Sequence, residues 1–111
     1  MAEFVIENIE WKKGELGIQR FIIYESDGVT RRNGSGKAYD FKFWKARGNV
    51  LKGSGTLVAT DTVQGEYNYL LVATDTDTIN DYRGEVIEDP STNKLKSNTF
   101  KVDVAESSDF T

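Results

Sequence analysis

The 111-residue chain has no cysteine, no histidine, one proline and one methionine. Without cysteine there is no disulfide and no thiolate nucleophile, and without either missing residue there is no Cys/His zinc site. The lack of histidine removes the side chain most often used as a general base or pH switch near neutrality; it weighs against many hydrolytic mechanisms, though not against carboxylate pairs. A cysteine-free chain survives in either redox environment, so the compartment stays open. Long apolar runs are also lacking, and none approaches the roughly 20 residues of a membrane helix. Met1-Ala2-Glu3-Phe4 starts no basic region followed by an apolar core, so no signal peptide is expected. The expectation is a soluble chain, cytoplasmic or virion-borne. No window carries an apolar stripe with the roughly 3.6-residue period of a helix. Glycines at 28, 34, 36, 48, 53, 55, 65 and 84 interrupt anything longer.

What the chain does have is enough apolar residues, 38%, with 12% aromatics, to fill one core despite 29% charge. The net charge of −4 is uneven: residues 1–52 carry ten basic against seven acidic side chains, and residues 53–111 four against eleven. Two mixed, solvated surfaces explain this most simply; a dipolar molecule that stacks on copies of itself is the sharper reading.

Alternation supplies the fold. In Tyr39-Asp40-Phe41-Lys42-Phe43-Trp44, three rings fall on one face of a strand and Trp44 falls with the polar residues on the other. Phe100, Val102 and Val104 alternate with Lys101 and Asp103; Tyr67, Tyr69 and Leu71 share one face, as do Tyr82, Gly84 and Val86. Phe4-Val5-Ile6 with Ile9 and Trp11 reads as a first strand or a bulged one, Ile18 to Tyr24 as a second, and Thr56 to Thr60 as another. Between these lie turns at Lys12–Glu15, Ser26–Gly28, Arg47–Asn49, Gln64-Gly65 and Asp89–Asn93, a polar loop at 29–37, a flexible break at Gly53-Ser54-Gly55, and an acidic connection from Asp75 to Asp81. Seven or eight short strands at this spacing predict an all-β, immunoglobulin-like antiparallel sandwich of two sheets. It spans residues 1–105, with 106–111 as a tail. The hexapeptide Leu-Val-Ala-Thr-Asp-Thr, at 57–62 and 71–76, predicts two similar strands that each end in a Thr-Asp turn.

Several motifs point at chemistry and fall short of it. Gly34-Ser35-Gly36-Lys37 lacks the earlier glycine and the following Ser or Thr of a phosphate loop, and no helix follows; a mobile loop is the simpler reading. Asp75, Asp77 and Asp81 could gather oxygens for calcium, but the glycine and glutamate of the EF-hand pattern are missing. Glu66 and Glu85 could serve as an acid–base pair, yet strand parity turns both to solvent. Arg31, Arg32, Lys37, Lys42, Lys45 and Arg47 lie near Trp44, but a pI of about 4.8 argues against nucleic acid. Asn33-Gly34-Ser35 fits the glycosylation sequon and, with no export signal, carries no weight.

Phe41-Lys42-Phe43 before Gly48, Gly65-Glu66-Tyr67-Asn68-Tyr69, Asp81-Tyr82-Arg83-Gly84-Glu85 and Asn98-Thr99-Phe100-Lys101-Val102 together resemble the immunoglobulin-like N-terminal domain of phage baseplate upper proteins and related tail proteins. The resemblance covers residues 36–104. It implies a structural module that docks onto other virion proteins without catalysis or cofactor. The expected partner is another protein or a second copy, with Trp44, Lys42 and Arg47 as the contact surface. The alternative is a carbohydrate- or small-ligand-binding sandwich in which an exposed Trp44 or Trp11 stacks on a sugar.

Overall fold

In the computed structural model, which describes residues 4–89 and 95–106, the expected alternation places the strands. The large sheet contains β2 (Ile9–Lys12), β5 (Tyr39–Lys45), β6 (Leu51–Thr56), β9 (Asn80–Glu88), β10 (Leu95–Lys96) and β11 (Phe100–Ala105). Its order is β2-β11-β9-β5-β6, with β10 added to β9. The small sheet holds β3 (Gly17–Ile22), β7 (Val58–Asp61) and β8 (Glu66–Leu71) in the order β3-β8-β7. β1 (Phe4–Val5) and β4 (Tyr24–Glu25) form a separate two-stranded ribbon. Three neighbouring strands on one side, and on the other a six-strand sheet whose main path is β2-β11-β9-β5-β6, make an immunoglobulin-like sandwich. No helix among the described residues is long and apolar enough to cross a membrane. Pro90–Asn93 of the expected turn and residues 107–111 of the expected tail lie outside the described residues.

The details depart from the sequence reading in several places. Eleven strands appear among the described residues because β1, β4 and β10 are two-residue pieces. Phe4 and Trp11 belong to different sheets, so the expected first strand is two. The strand expected from Ile18 to Tyr24 likewise divides after Ile22, where Ile23 bonds to Gly65 and Arg32. And β2 runs parallel to β11, with Ile9 opposite Val102 and Trp11 opposite Val104, so the sandwich is not antiparallel throughout.

β5 is the centre of the core. Tyr39, Phe41 and Phe43 are buried, with Asp40, Lys42 and Trp44 on the outer face. The Phe41 ring lies 4.8 Å from Phe21, 5.0 Å from Tyr69 and 5.4 Å from Phe43, joining both sheets. Tyr39 meets Tyr67 at 4.9 Å, and Trp11 meets Phe43 edge-on at 5.3 Å. Such tilted and edge-on pairs contribute about 0.5–1.5 kcal/mol each beyond area burial. A side chain at Gly84 would meet the Phe100 ring at 2.7 Å, so glycine here makes room for an aromatic neighbour.

Candidate functional site

Two polar regions compete for attention, and only one is open. The closed one lies at the start of β5. Glu88 ends β9 on the inward face and is 1% exposed. Arg32 approaches it with two nitrogens, Nε at 2.8 Å and Nη2 at 3.1 Å, and donates a third bond to Glu25 at 2.7 Å. The Tyr39 hydroxyl donates to the same carboxylate at 2.6 Å, and Lys37 stands 3.6 Å away. The guanidinium also covers the Phe4 ring at 5.3 Å. Burial alone would raise the Glu88 carboxyl; Arg32, Tyr39 and Lys37 outweigh it and hold it below its ordinary value. The bond to Glu88 pushes Arg32 up. Tyr39 is pushed up chiefly by burial and then by Glu88. All of these groups are partnered, so the cluster ties the 29–37 loop to the sheet. The glycine-rich loop expected to be mobile is anchored in this way, and its Gly34 carbonyl accepts from Tyr67.

The open region lies on the outer face of the large sheet. Cross-strand register sets Lys42 opposite Glu85 and Ser54, and Trp44 opposite Arg83 and Leu51. A bulge between Phe43 and Trp44 shifts this register. The extra residue is Lys52 on β6, so the alternation of β5 continues and Trp44 stays on the outer face, half-buried, with its ring outside the core. Lys42, Trp44, Asn49, Leu51 and Glu85 line an open groove of about 580 Å³. The Lys42 ammonium stands 6.0 Å from the Trp44 ring and 3.8 Å from Glu85. Leu51 is 60% exposed. The wall at Asn49 comes from the expected turn, in which Gly48 and Asn49 both adopt positive φ and Lys45 donates to Val50. Arg47 is exposed in that turn and is not among the groove's lining residues. Of the three residues expected to form a contact surface, Trp44 and Lys42 line the same groove and Arg47 stands apart.

Trp11 does not serve the alternative ligand reading. It is 0% exposed, its indole N–H donates to Gln19, and it packs against Phe41 and Phe43. The acidic connection does not converge either. Asp75 turns inward, Asp77 pairs with Lys52, and Asp81 pairs with Arg83. No group of three acidic side chains that could hold a metal forms among the described residues. Glu66 sits with Arg31 and Glu85 with Lys42 and Lys96, on different sheets.

One acidic feature had no sequence signal. Register across β9, β11 and β2 sets Asp81, Asp103 and Glu10 in one row on the outer face. Burial and a hydrogen bond with Asp81 raise the Asp103 carboxyl, while Arg83 first and then Asp103 lower Asp81. Spacing in sequence gives no hint of this row, because its members are 22 to 93 positions apart by their numbers.

No family model matches this chain, and no curated protein matches it significantly.

Proposed function

We propose that this domain is a non-catalytic, protein-binding structural module, of the viral or phage-tail type its sequence resembles, and that it works through the Trp44 groove. The observation that carries the reading is the half-buried Trp44 beside the exposed Leu51, an apolar floor bordered by Lys42, Glu85 and Asn49. A large aromatic beside an exposed aliphatic, rimmed by charge, is the chemistry of a protein contact. The other strongly interacting polar set, around Glu88, is spent on holding a loop and offers no free reactive group.

A sugar ligand is the second reading, supported by the partly open Trp44 ring among polar neighbours. Two measurements separate the readings. Affinity capture on immobilised domain is compared with Trp44→Ala, each checked for unchanged circular dichroism. Protein retained by the wild type and lost with Trp44→Ala supports the proposal; equal retention sinks it. Tryptophan emission is then titrated with a panel of neutral oligosaccharides, with Trp44→Phe as the control. Saturable quenching absent in Trp44→Phe would replace the protein partner with a carbohydrate.

A further inference from the structure

A second surface lies beside the groove and does not depend on what fills it. Among the described residues, β6 is the last strand of the large sheet and pairs only with β5. The amide of Leu57 donates to Tyr39, which fixes the phase of the ladder: Tyr39 with Leu57, Phe41 with Gly55, and Phe43 with Gly53 exchange bonds. Ser54 and Thr56 therefore direct their N–H and C=O groups away from the sheet. Both are exposed. Natural edge strands are usually blunted by proline, by inward charge or by a covering loop. Here the charge and the bulge are confined to the start of β6, at Lys52, and Gly53 to Thr56 carries no charge and no proline. Val50, Leu51 and Val58 flank it at 56%, 60% and 66% exposure.

We propose that β6 pairs antiparallel with β6 of a second copy, joining two large sheets into one across a two-fold axis at Ser54. The edge is self-complementary in charge. Its turn end carries Lys45 and Arg47, and its other end carries Asp40, directly opposite Thr56; Asp61 follows five residues beyond β6, at the end of β7 in the small sheet. None of these four enters an ion pair among the described residues. Antiparallel pairing brings the basic end of each copy to the acidic end of the other, twice by symmetry. Backbone bonds supply the affinity, and the charged ends set direction and register. The Trp44 grooves of the two copies then lie on one face of a continuous sheet.

Sedimentation velocity over a concentration series tests this. The wild type is expected to pass from monomer to dimer. Ser54→Pro removes an outward amide and breaks no bond within the sheet, so it is expected to remain monomeric with unchanged circular dichroism. A second test does not rely on proline. Lys45→Glu/Arg47→Glu leaves both ends acidic, and Asp40→Lys/Asp61→Lys leaves both ends basic. Each is expected to dimerise at least tenfold more weakly alone, and a one-to-one mixture to recover the dimer. A wild type that stays monomeric up to about 1 mM, a Ser54→Pro variant that dimerises normally, or a mixture that fails to recover would each overturn the proposal. Trp44→Ala leaves this association intact, so loss of the groove's partner and loss of the dimer are read separately.

Discussion

The same six residues occur twice in this chain and fold in two ways. Leu57 and Leu71 are both buried, and Val58 and Val72 are both exposed. Their backbones part before the acid and their burial parts at it. In the first, Val58–Asp61 forms β7, and exposed Asp61 accepts from the Gln64 amide in the following turn. In the second, Ala73–Asp75 coils into a 3-10 turn, and Asp75 and Thr76 are buried. The buried carboxylate accepts from the Tyr69 hydroxyl at 2.8 Å and the Val72 amide at 3.0 Å, and the Thr76 hydroxyl donates to the Glu15 carbonyl. Identical propensity cannot account for the difference, so context must. Six positions before Asp75 stands Tyr69; six before Asp61 stands Gly55. The first copy also has β8 to pair with, whereas the second leaves β8 where the small sheet ends.

Removing the two acids separates the copies most sharply. Asp75→Ala leaves the Tyr69 hydroxyl and the Val72 amide without their acceptor at a buried position, and about 2–3 kcal/mol of stability is expected to be lost. Asp61→Ala removes an exposed turn acceptor, and the expected change is about 0.5 kcal/mol or less. Urea unfolding of both variants checks the contrast. Equal losses would show that the exposed turn matters as much as the buried one.

Gly53 tests the wall that faces Asp75. A side chain there would come within 2.5 Å of Asp75 Oδ1 and 2.8 Å of the Phe43 ring. Gly53→Ala is therefore expected to destabilise by about 1–3 kcal/mol through overpacking. Ser54→Ala, next to it and exposed, is expected to change unfolding by about 0.5 kcal/mol at most. This site also shows where sequence reading stops. Gly53-Ser54-Gly55 looks like a flexible break, and Val50-Leu51 like a short apolar pair, yet Leu51–Thr56 is one strand whose glycines admit Phe43, Asp75 and Tyr69. Alternation made the inward faces of β5, β8, β9 and β11 legible, because one side of each strand is apolar. The same parity puts Glu88 in line with Tyr82, Gly84 and Val86. A charge at an inward position is unreadable without its partner, and Arg32 lies 56 positions away. Trp44 could be placed on the outer face from parity, but its meeting with Leu51 and Glu85 depends on strand order.

Alkaline pH reads the same Tyr69–Asp75 contact. Burial, and then Asp75, raises the Tyr69 hydroxyl above its ordinary 10.0. Tyr39, Tyr67 and Tyr82 are raised as well, chiefly by burial. Above pH 10 the unfolded chain releases phenolic protons that the folded chain keeps, so stability falls as pH rises. The expected result is that phenolate absorbance for these four appears together with loss of circular dichroism. Phenolate appearing in full while the sheet signal persists would contradict the burial of these rings. In Asp75→Ala the onset for Tyr69 still lies above the ordinary value, since burial is the larger cause.

The smallest effect on stability is expected where the copies agree. Val58 and Val72 hold the same place in the hexapeptide, are 66% and 50% exposed, and line one open groove of about 360 Å³ with β6 and Asp75. Neither fills the core, so Val58→Ser and Val72→Ser are each expected to shift the unfolding free energy by about 0.5 kcal/mol or less. Their loss is felt instead where two molecules meet. Val58 flanks the outward edge of β6, and Val72 lies across the groove from it, so Val58→Ser is expected to weaken dimerisation more than Val72→Ser. Sedimentation of the two variants at matched concentration decides the matter. If both associate like the wild type, the exposed valines are neutral surface. If Val72→Ser is the weaker dimer, the contact lies over the groove and not along the strand edge.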